Sequence, residues 1–134
     1  MAAPKTLTLD VRDYECDLQG IVNNAVYLHY FEHARHQFLK ARGFDFDALN
    51  REGVHLVVVR AEVEYKAPLK SGDQFTVTSR LQAKSPVRFQ FVQAIHRAGD
   101  KRLMVTGLFD CAAMNRQGKP MIPRLLAPLF NNQE

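Results

Sequence analysis

One uninterrupted helix, set among strand-like segments, leaves this chain few folds to choose from. Asn24 to Arg42, NAVYLHYFEHARHQFLKAR, contains neither glycine nor proline. Within it Tyr27, Tyr30, Phe31, Ala34, Phe38 and Ala41 recur at steps of three and four, the apolar stripe of an α-helix. Asn23 is placed to cap the start and Gly43 to end it. Nineteen residues give about 28 Å of helix. Val26, Leu28 and Leu39 lie off the main stripe, which suits a helix enclosed on more than one side.

The flanking sequence is mostly β in character. Lys5 to Arg12 alternates as a first strand, and Asp13 to Val22, which contains Gly20, breaks periodicity as a loop. Phe44 to Glu52 reads as a short helical turn. After Gly53, four segments are rich in branched and aromatic residues: Val54 to Lys66, Gln74 to Ala83, Val87 to Arg97 and Arg102 to Met114. The breaks at Pro68–Asp73, Ser85-Pro86 and Ala98-Gly99-Asp100 are short, as between antiparallel neighbours. Asn115 to Gly118 predicts a turn, and Pro123 to Phe130 a short terminal helix. The expectation is an α+β fold: about five antiparallel strands curled around one long helix.

Composition sets the class. A chain of 134 residues suits one domain, here residues 1–134, and can bury a sizeable core without disulfide or metal. Its 46% hydrophobic and 24% charged content is that of a globular protein. Cys16 and Cys111 form neither a metal spacing nor a disulfide framework. The start lacks a secretory pattern, and no apolar run approaches the ~20 residues that span a bilayer. A reduced, cytoplasmic setting is expected, with no membrane insertion. The net charge of +4 comes from scattered Lys and Arg, without the basic and aromatic strip that stacks bases. Nucleic acid is set aside, whereas an anionic small ligand fits a mild positive bias.

Three stretches carry a resemblance. ECDLQGIVNNAVYLHYFEHAR, Glu15 to Arg35, shows an Asp, two variable residues, Gly-Ile-Val, then a helix opening with Tyr and continuing Tyr-Phe-Glu-x-Ala-Arg. EYKAPLKSGDQFTV, Glu64 to Val77, holds a Tyr-x-x-Pro-Leu and Gly-Asp crossing, and VRFQFVQAI, Val87 to Ile95, adds a weaker third match. Together they resemble the hotdog-fold acyl-CoA thioesterases of the 4-hydroxybenzoyl-CoA thioesterase family. The resemblance implies hydrolysis of an acyl-CoA to free acid and coenzyme A, with coenzyme A as part of the substrate and no further cofactor or metal. It implies Asp17 as the nucleophile or general base, and the backbone N–H at Asn24 as the donor facing the thioester carbonyl. Gly20, Ile21 and Val22 would shape the loop. Many relatives have a His or an aromatic residue where Asn23 and Asn24 stand. A backbone role survives that change, and the Asn-Asn-x-x-Tyr run looks like the fatty-acyl thioesterases of the same superfamily.

The residues themselves permit this chemistry. Asp17 lies six residues before the helix cap, and Gly20 lets the intervening chain turn sharply. A helix start offers unpaired N–H groups and the positive end of a dipole. Thioester hydrolysis needs a base or nucleophile and donors for the developing oxyanion, and one short segment can supply both. Spacing alone describes Asp17 better as a turn-stabilising loop acid; the resemblance is what selects catalysis. Asn23 reads first as a plain cap.

Other candidates weaken. His29 and His33, like Glu32 and His36, are four apart, but no third ligand and no HExxH follow, so a solvent-facing polar stripe is expected, with Glu32 and Arg35 as an exposed pair. Cys16 has no base beside it, and neither a GxSxG elbow nor a Gly-rich phosphate loop is present. Arg88, Lys84, Arg97 and Arg102 are candidates for the coenzyme phosphates, or ordinary surface charge. Val57, Val58 and Val59 line a groove, a subunit contact or the core. A curled sheet with open edges implies a homodimer joined edge to edge, assembling further to a tetramer, with each site built from both chains. Two alternatives stand: a non-catalytic acyl-CoA-binding module, and a hotdog hydratase or dehydratase. The second lacks a His in the Asp17 loop and the His-Phe-Pro run.

Overall fold

The computed structural model describes residues 4–121. Strand β1 (Lys5–Asp10) leads through a 3-10 turn (Asp13–Glu15) to helix α1 (Asn24–Ala41). A short helix α2 (Phe46–Arg51) precedes β2 (His55–Tyr65), β3 (Gln74–Ser85), β4 (Arg88–Arg97), β5 (Leu103–Met114) and a two-residue β6 (Pro120–Met121). The antiparallel sheet runs β1-β3-β4-β5-β2, and β6 also pairs with β5. This is the hotdog arrangement, with six strands rather than about five because β6 adds a short pairing. The terminal helix expected at Pro123–Phe130 lies outside the described residues.

Helix α1 has the capped limits its sequence implies. Asn23 Oδ1 accepts from the Ala25 N–H at 2.9 Å, and Gly43 follows the helix at φ 84°. Tyr27, Tyr30, Phe31, Ala34, Phe38 and Leu39 are buried against the sheet. Ala41, placed on the stripe by periodicity, is exposed, whereas Leu39, placed off it, is buried beside Phe38 in the same last turn. Off the stripe, Val26 is half-buried and Leu28 exposed, so enclosure is less complete than the sequence implied.

Alternation along the strands supplies the other half of the core. Phe75, Val77 and Leu81 of β3, Phe89, Phe91 and Ile95 of β4, and Val105 and Phe109 of β5 are buried. Aromatic rings meet across the layers: Tyr30 with Phe75 at 4.6 Å, Phe31 with Phe109 at 5.2 Å, and Phe38 with Phe91 at 5.4 Å. Gly107 leaves room for the Phe31–Phe109 contact. A Cβ there would stand 2.5 Å from the Phe109 ring and 3.2 Å from Phe31. Pro86-Val87 closes a two-residue hairpin, so β3 runs to Ser85, past the Ala83 limit expected.

The two sheet edges differ. β1 is short and presents Thr6, Thr8 and Asp10 to solvent. β2 is 11 residues long, pairs only with β5 among the described residues, and exposes Val57, Val58 and Val59 at 37, 44 and 37%. Its register shifts between Val58 and Arg60. No helix among the described residues is long and apolar enough to cross a membrane.

Candidate active site

The loop before α1 hangs from one buried acid. Glu15 accepts from the Arg12 N–H at 2.9 Å, from the Arg12 guanidinium at 2.8 Å and from Tyr30 Oη at 2.7 Å. Burial alone would push the Glu15 carboxyl up. The Arg12 and Tyr30 hydrogen bonds and the Arg12 charge together outweigh it, and hold the group below its usual range. Burial and the Glu15 charge push the Tyr30 phenol up. The Glu15 carbonyl also accepts from the Asn23 N–H at 3.0 Å, which ties the loop to the helix cap.

From this anchor a tight turn projects. Cys16 and Val22 form an antiparallel bridge, with Asp17 N–H bonded to the Ile21 carbonyl at 2.9 Å and Gly20 N–H to the Asp17 carbonyl at 3.0 Å. Gly20 has φ 81° and nothing within 4 Å of a Cβ position, so backbone conformation rather than space calls for glycine. Asp17 Oδ1 accepts from the Gln19 N–H at 2.8 Å. The turn-stabilising role therefore exists, and it occupies one carboxylate oxygen. The side chain remains exposed.

The crossing from β2 to β3 packs against this turn. Val22 N–H donates to the Leu69 carbonyl at 2.9 Å, and Ile21 bridges to Lys70. Leu69 N–H donates to Tyr27 Oη at 3.0 Å. Asp73 Oδ2 accepts from the Lys70 N–H at 2.9 Å while Gly72 turns at φ 85°, which accounts for the Gly-Asp pair. Between loop, helix start and crossing lies a cavity of about 450 Å³. Asp17, Ile21, Val22 and Asn23 of the loop, Asn24 and Tyr27 of α1, and Tyr65 and Pro68 of β2 and the crossing line it.

The first-turn donors of α1 sort themselves here. Ala25 N–H is taken by Asn23 Oδ1, and Val26 N–H by the Asn23 carbonyl at 2.9 Å. Asn24 N–H, at the first helical position, has no intrahelical acceptor. Tyr65 Oη donates to the Asn24 carbonyl at 3.1 Å, in the peptide that follows the one bearing this N–H. Sequence reasoning missed Tyr65 as a site residue, although it opens the Tyr-x-x-Pro-Leu stretch. Asn23 is a cap, as its sequence context suggested.

Other expected residues stand elsewhere. Gly20 shapes the turn without lining the cavity. Val59 sits on the open β2 edge and Arg88 is exposed at the start of β4; neither lines the Asp17 cavity. Lys84 is bonded to Asp110, and Arg97 to Asp100 at 2.6 Å, whereas Arg88 has no ion pair among the described residues. His29 and His33 line a separate cleft beside Arg12 and Tyr14. The expected exposed pair of Glu32 and Arg35 does not form. Arg35 turns inward, its guanidinium 4.4 Å from the Phe109 ring centre, because its long stem packs on the aromatic core.

Residues 11–129 match the family described as the thioesterase-like superfamily. The chain is 43% identical over 83 residues to the chloroplastic acyl-acyl carrier protein thioesterase ATL3 of Arabidopsis thaliana, covering 62% of this chain and 44% of that protein. It is 35% identical over 74 residues to the long-chain acyl-CoA thioesterase FadM of Escherichia coli, 55% of each chain. The matches thus span about half the length of these relatives. In backbone shape it is similar to a 1,4-dihydroxy-2-naphthoyl-CoA thioesterase from Synechocystis, with TM-score 0.91, 97% of each chain covered and 19% identity. At that identity the likeness speaks for the fold alone.

Proposed function

Because the chain belongs to the thioesterase-like superfamily, we propose that it hydrolyses acyl thioesters, releasing a free acid and the thiol of the carrier. The observation that carries this reading is one cavity lined both by the Asp17 carboxylate and by Asn24 at the helix start. A thioester carbonyl seated there would meet the Asn24 N–H, whose donor is unused within the helix and lies at the positive end of the dipole. Charge that develops on the carbonyl oxygen is then stabilised by a donor already in position. Asp17 attacks the carbonyl carbon, expelling the thiolate and leaving a mixed anhydride that water opens, or it takes a proton from the attacking water. Its Oδ2 is the oxygen available, since Oδ1 serves the turn.

Coenzyme A is the carrier we propose, in keeping with the named activity of the Escherichia coli relative. The name of the plant relative makes an acyl carrier protein the comparison to run beside it. Arg88 is the phosphate contact we propose, since Lys84 and Arg97 are already tied to carboxylates, and Arg102, which like Arg88 has no ion pair among the described residues, is the comparison to test beside it. Arg88→Ala should raise KM for acyl-CoA and leave turnover nearly unchanged, since that contact is the same in ground and transition states. The unit that works is a dimer paired along β2, each site drawing on both chains.

Thiol release from a panel of acyl-CoAs, measured for wild type and Asp17→Asn, tests the reading. Turnover should fall at least about a hundredfold in the variant while substrate affinity is largely kept. A folded Asp17→Asn protein that retains more than half its activity would sink the mechanism.

A further inference from the structure

Beneath the N-terminal half of β2 lies a second cavity of about 300 Å³, separate from the one at Asp17. Leu39, Leu56, Val58, Phe91 and Cys111 give it apolar walls, and Arg35 reaches it from α1 beside Glu32 and His36, which border it. The guanidinium is held in one orientation. One face lies against Phe109, and Nη1 donates to Gln93 Oε1 at 3.2 Å. Gln93 cannot rotate its amide to offer nitrogen instead. Its Nε2 donates to the Phe31 carbonyl at 3.1 Å and to Ser79 Oγ at 2.9 Å, and a carbonyl only accepts.

Arg35 is left under-compensated. Among the described residues no carboxylate forms an ion pair with it. Burial works against the cation and lowers its pKa, and the nearby Glu32 charge opposes that shift without forming an ion pair. A guanidinium carries five N–H donors, and one is satisfied by protein here. A half-buried cation whose other donors meet no acceptor among the described residues, beside a largely apolar cavity, is a setting in which an acceptor on a ligand gains most.

The position of the cavity says which ligand could bring that acceptor. Strand β2 runs from His55 to Tyr65; its Tyr65 end belongs to the Asp17 cavity and its Leu56–Val58 end to this one. Antiparallel pairing of two β2 edges about their middle therefore sets one protomer's Asp17 cavity beside its partner's Arg35 cavity. Within one chain Asn24 and Arg35 are eleven residues apart, about 16 Å along the helix. We propose that the cavity receives the acyl group of the substrate held at the partner's Asp17, and that Arg35 selects acyl groups bearing a neutral oxo or hydroxyl oxygen away from the thioester, since a carboxylate there would also face Glu32. This rests on the thioesterase reading. A plain hydrocarbon chain would fill the walls and leave the guanidinium donors unpaired.

Steady-state kcat/KM on matched pairs of acyl-CoAs tests the proposal, each pair equal in length and differing only in the added oxygen. Wild type should favour the oxygenated member of at least one pair by about tenfold or more. Arg35→Met should bring that ratio near one, chiefly by slowing the oxygenated substrate. Arg35→Gln is neutral too but still able to bond Gln93, and it serves the same comparison if the methionine variant does not fold. Each ratio is taken within one preparation, so a misfolded fraction cancels. Equal use of both members of every pair by wild type, or survival of the preference in either variant, overturns the selection by Arg35. In those cases hydrolysis of unsubstituted acyl-CoAs leaves the thioesterase reading standing. Absence of thiol release from every substrate overturns both.

Discussion

Glu15 is 7% exposed and accepts three hydrogen bonds, so the loop that carries Asp17 depends on a charge kept away from water. Burial opposes that charge, yet the Arg12 and Tyr30 donors leave the carboxyl below its ordinary pKa. An acid depressed by folding contributes stability that is present in full above its unfolded pKa and is lost as pH falls through the folded value. Urea denaturation followed from neutral to acid pH should therefore show stability falling below the ordinary Glu range, and Glu15→Gln should show a shallower slope there. Tyr30→Phe removes one bond to the charged oxygen and should cost about 1.5–3 kcal/mol at neutral pH. A Tyr30→Phe protein as stable as wild type would mean that the loop is held by other contacts.

Two glycines show how element geometry divides between packing and site. Gly107 sits in β5 where α1 crosses, and a methyl there would collide with Phe109 and press on Phe31. Gly107→Ala should lose about 1–3 kcal/mol as the core is overpacked. Gly20 has open space around it but a left-handed backbone, so Gly20→Ala meets strain of about 1–2 kcal/mol confined to the Asp17 turn. Melting temperature and turnover measured on both variants should part them. Gly107→Ala loses the more stability, whereas Gly20→Ala loses activity out of proportion to its change in melting temperature. Equal loss of both properties in the two variants would contradict this division.

For the whole molecule, the contrast between the sheet edges matters most. The β1 edge is six residues long and carries Thr and Asp, features that discourage pairing. The β2 edge is nearly twice as long, with three exposed valines, and a partner strand would bury them. Light scattering should give the mass of two chains or a multiple of it. Val58→Asp should shift the mass toward one chain and remove activity together with it, because each proposed site needs the partner's cavity. An active wild-type monomer at micromolar concentration would refute the shared site.

What the chain states locally could be read from it directly. The limits of α1, the Asn23 cap, the Gly43 stop and the run of strands follow from side-chain period and turn residues, which act over a few neighbours. The Asp17 turn was legible from Gly20 and its distance to the helix, and the helix start at Asn24 from the same pattern. Long-range contact decided the rest. Arg35 stands three residues from Glu32, a spacing that favours a surface pair, yet Phe109 and Gln93, distant in sequence, draw it inward. Tyr65 reaches Asn24 across 41 residues, and Tyr30 reaches Glu15 across the loop, through bonds that no local pattern encodes. The sheet order, which leaves β2 rather than β4 at an edge, is likewise set by which strands bury one another's apolar faces. Local periodicity determines that segments are helix or strand and which of their faces is apolar. Only packing assigns each face its neighbour, and the cavity at Asp17, like the one at Arg35, exists between such neighbours.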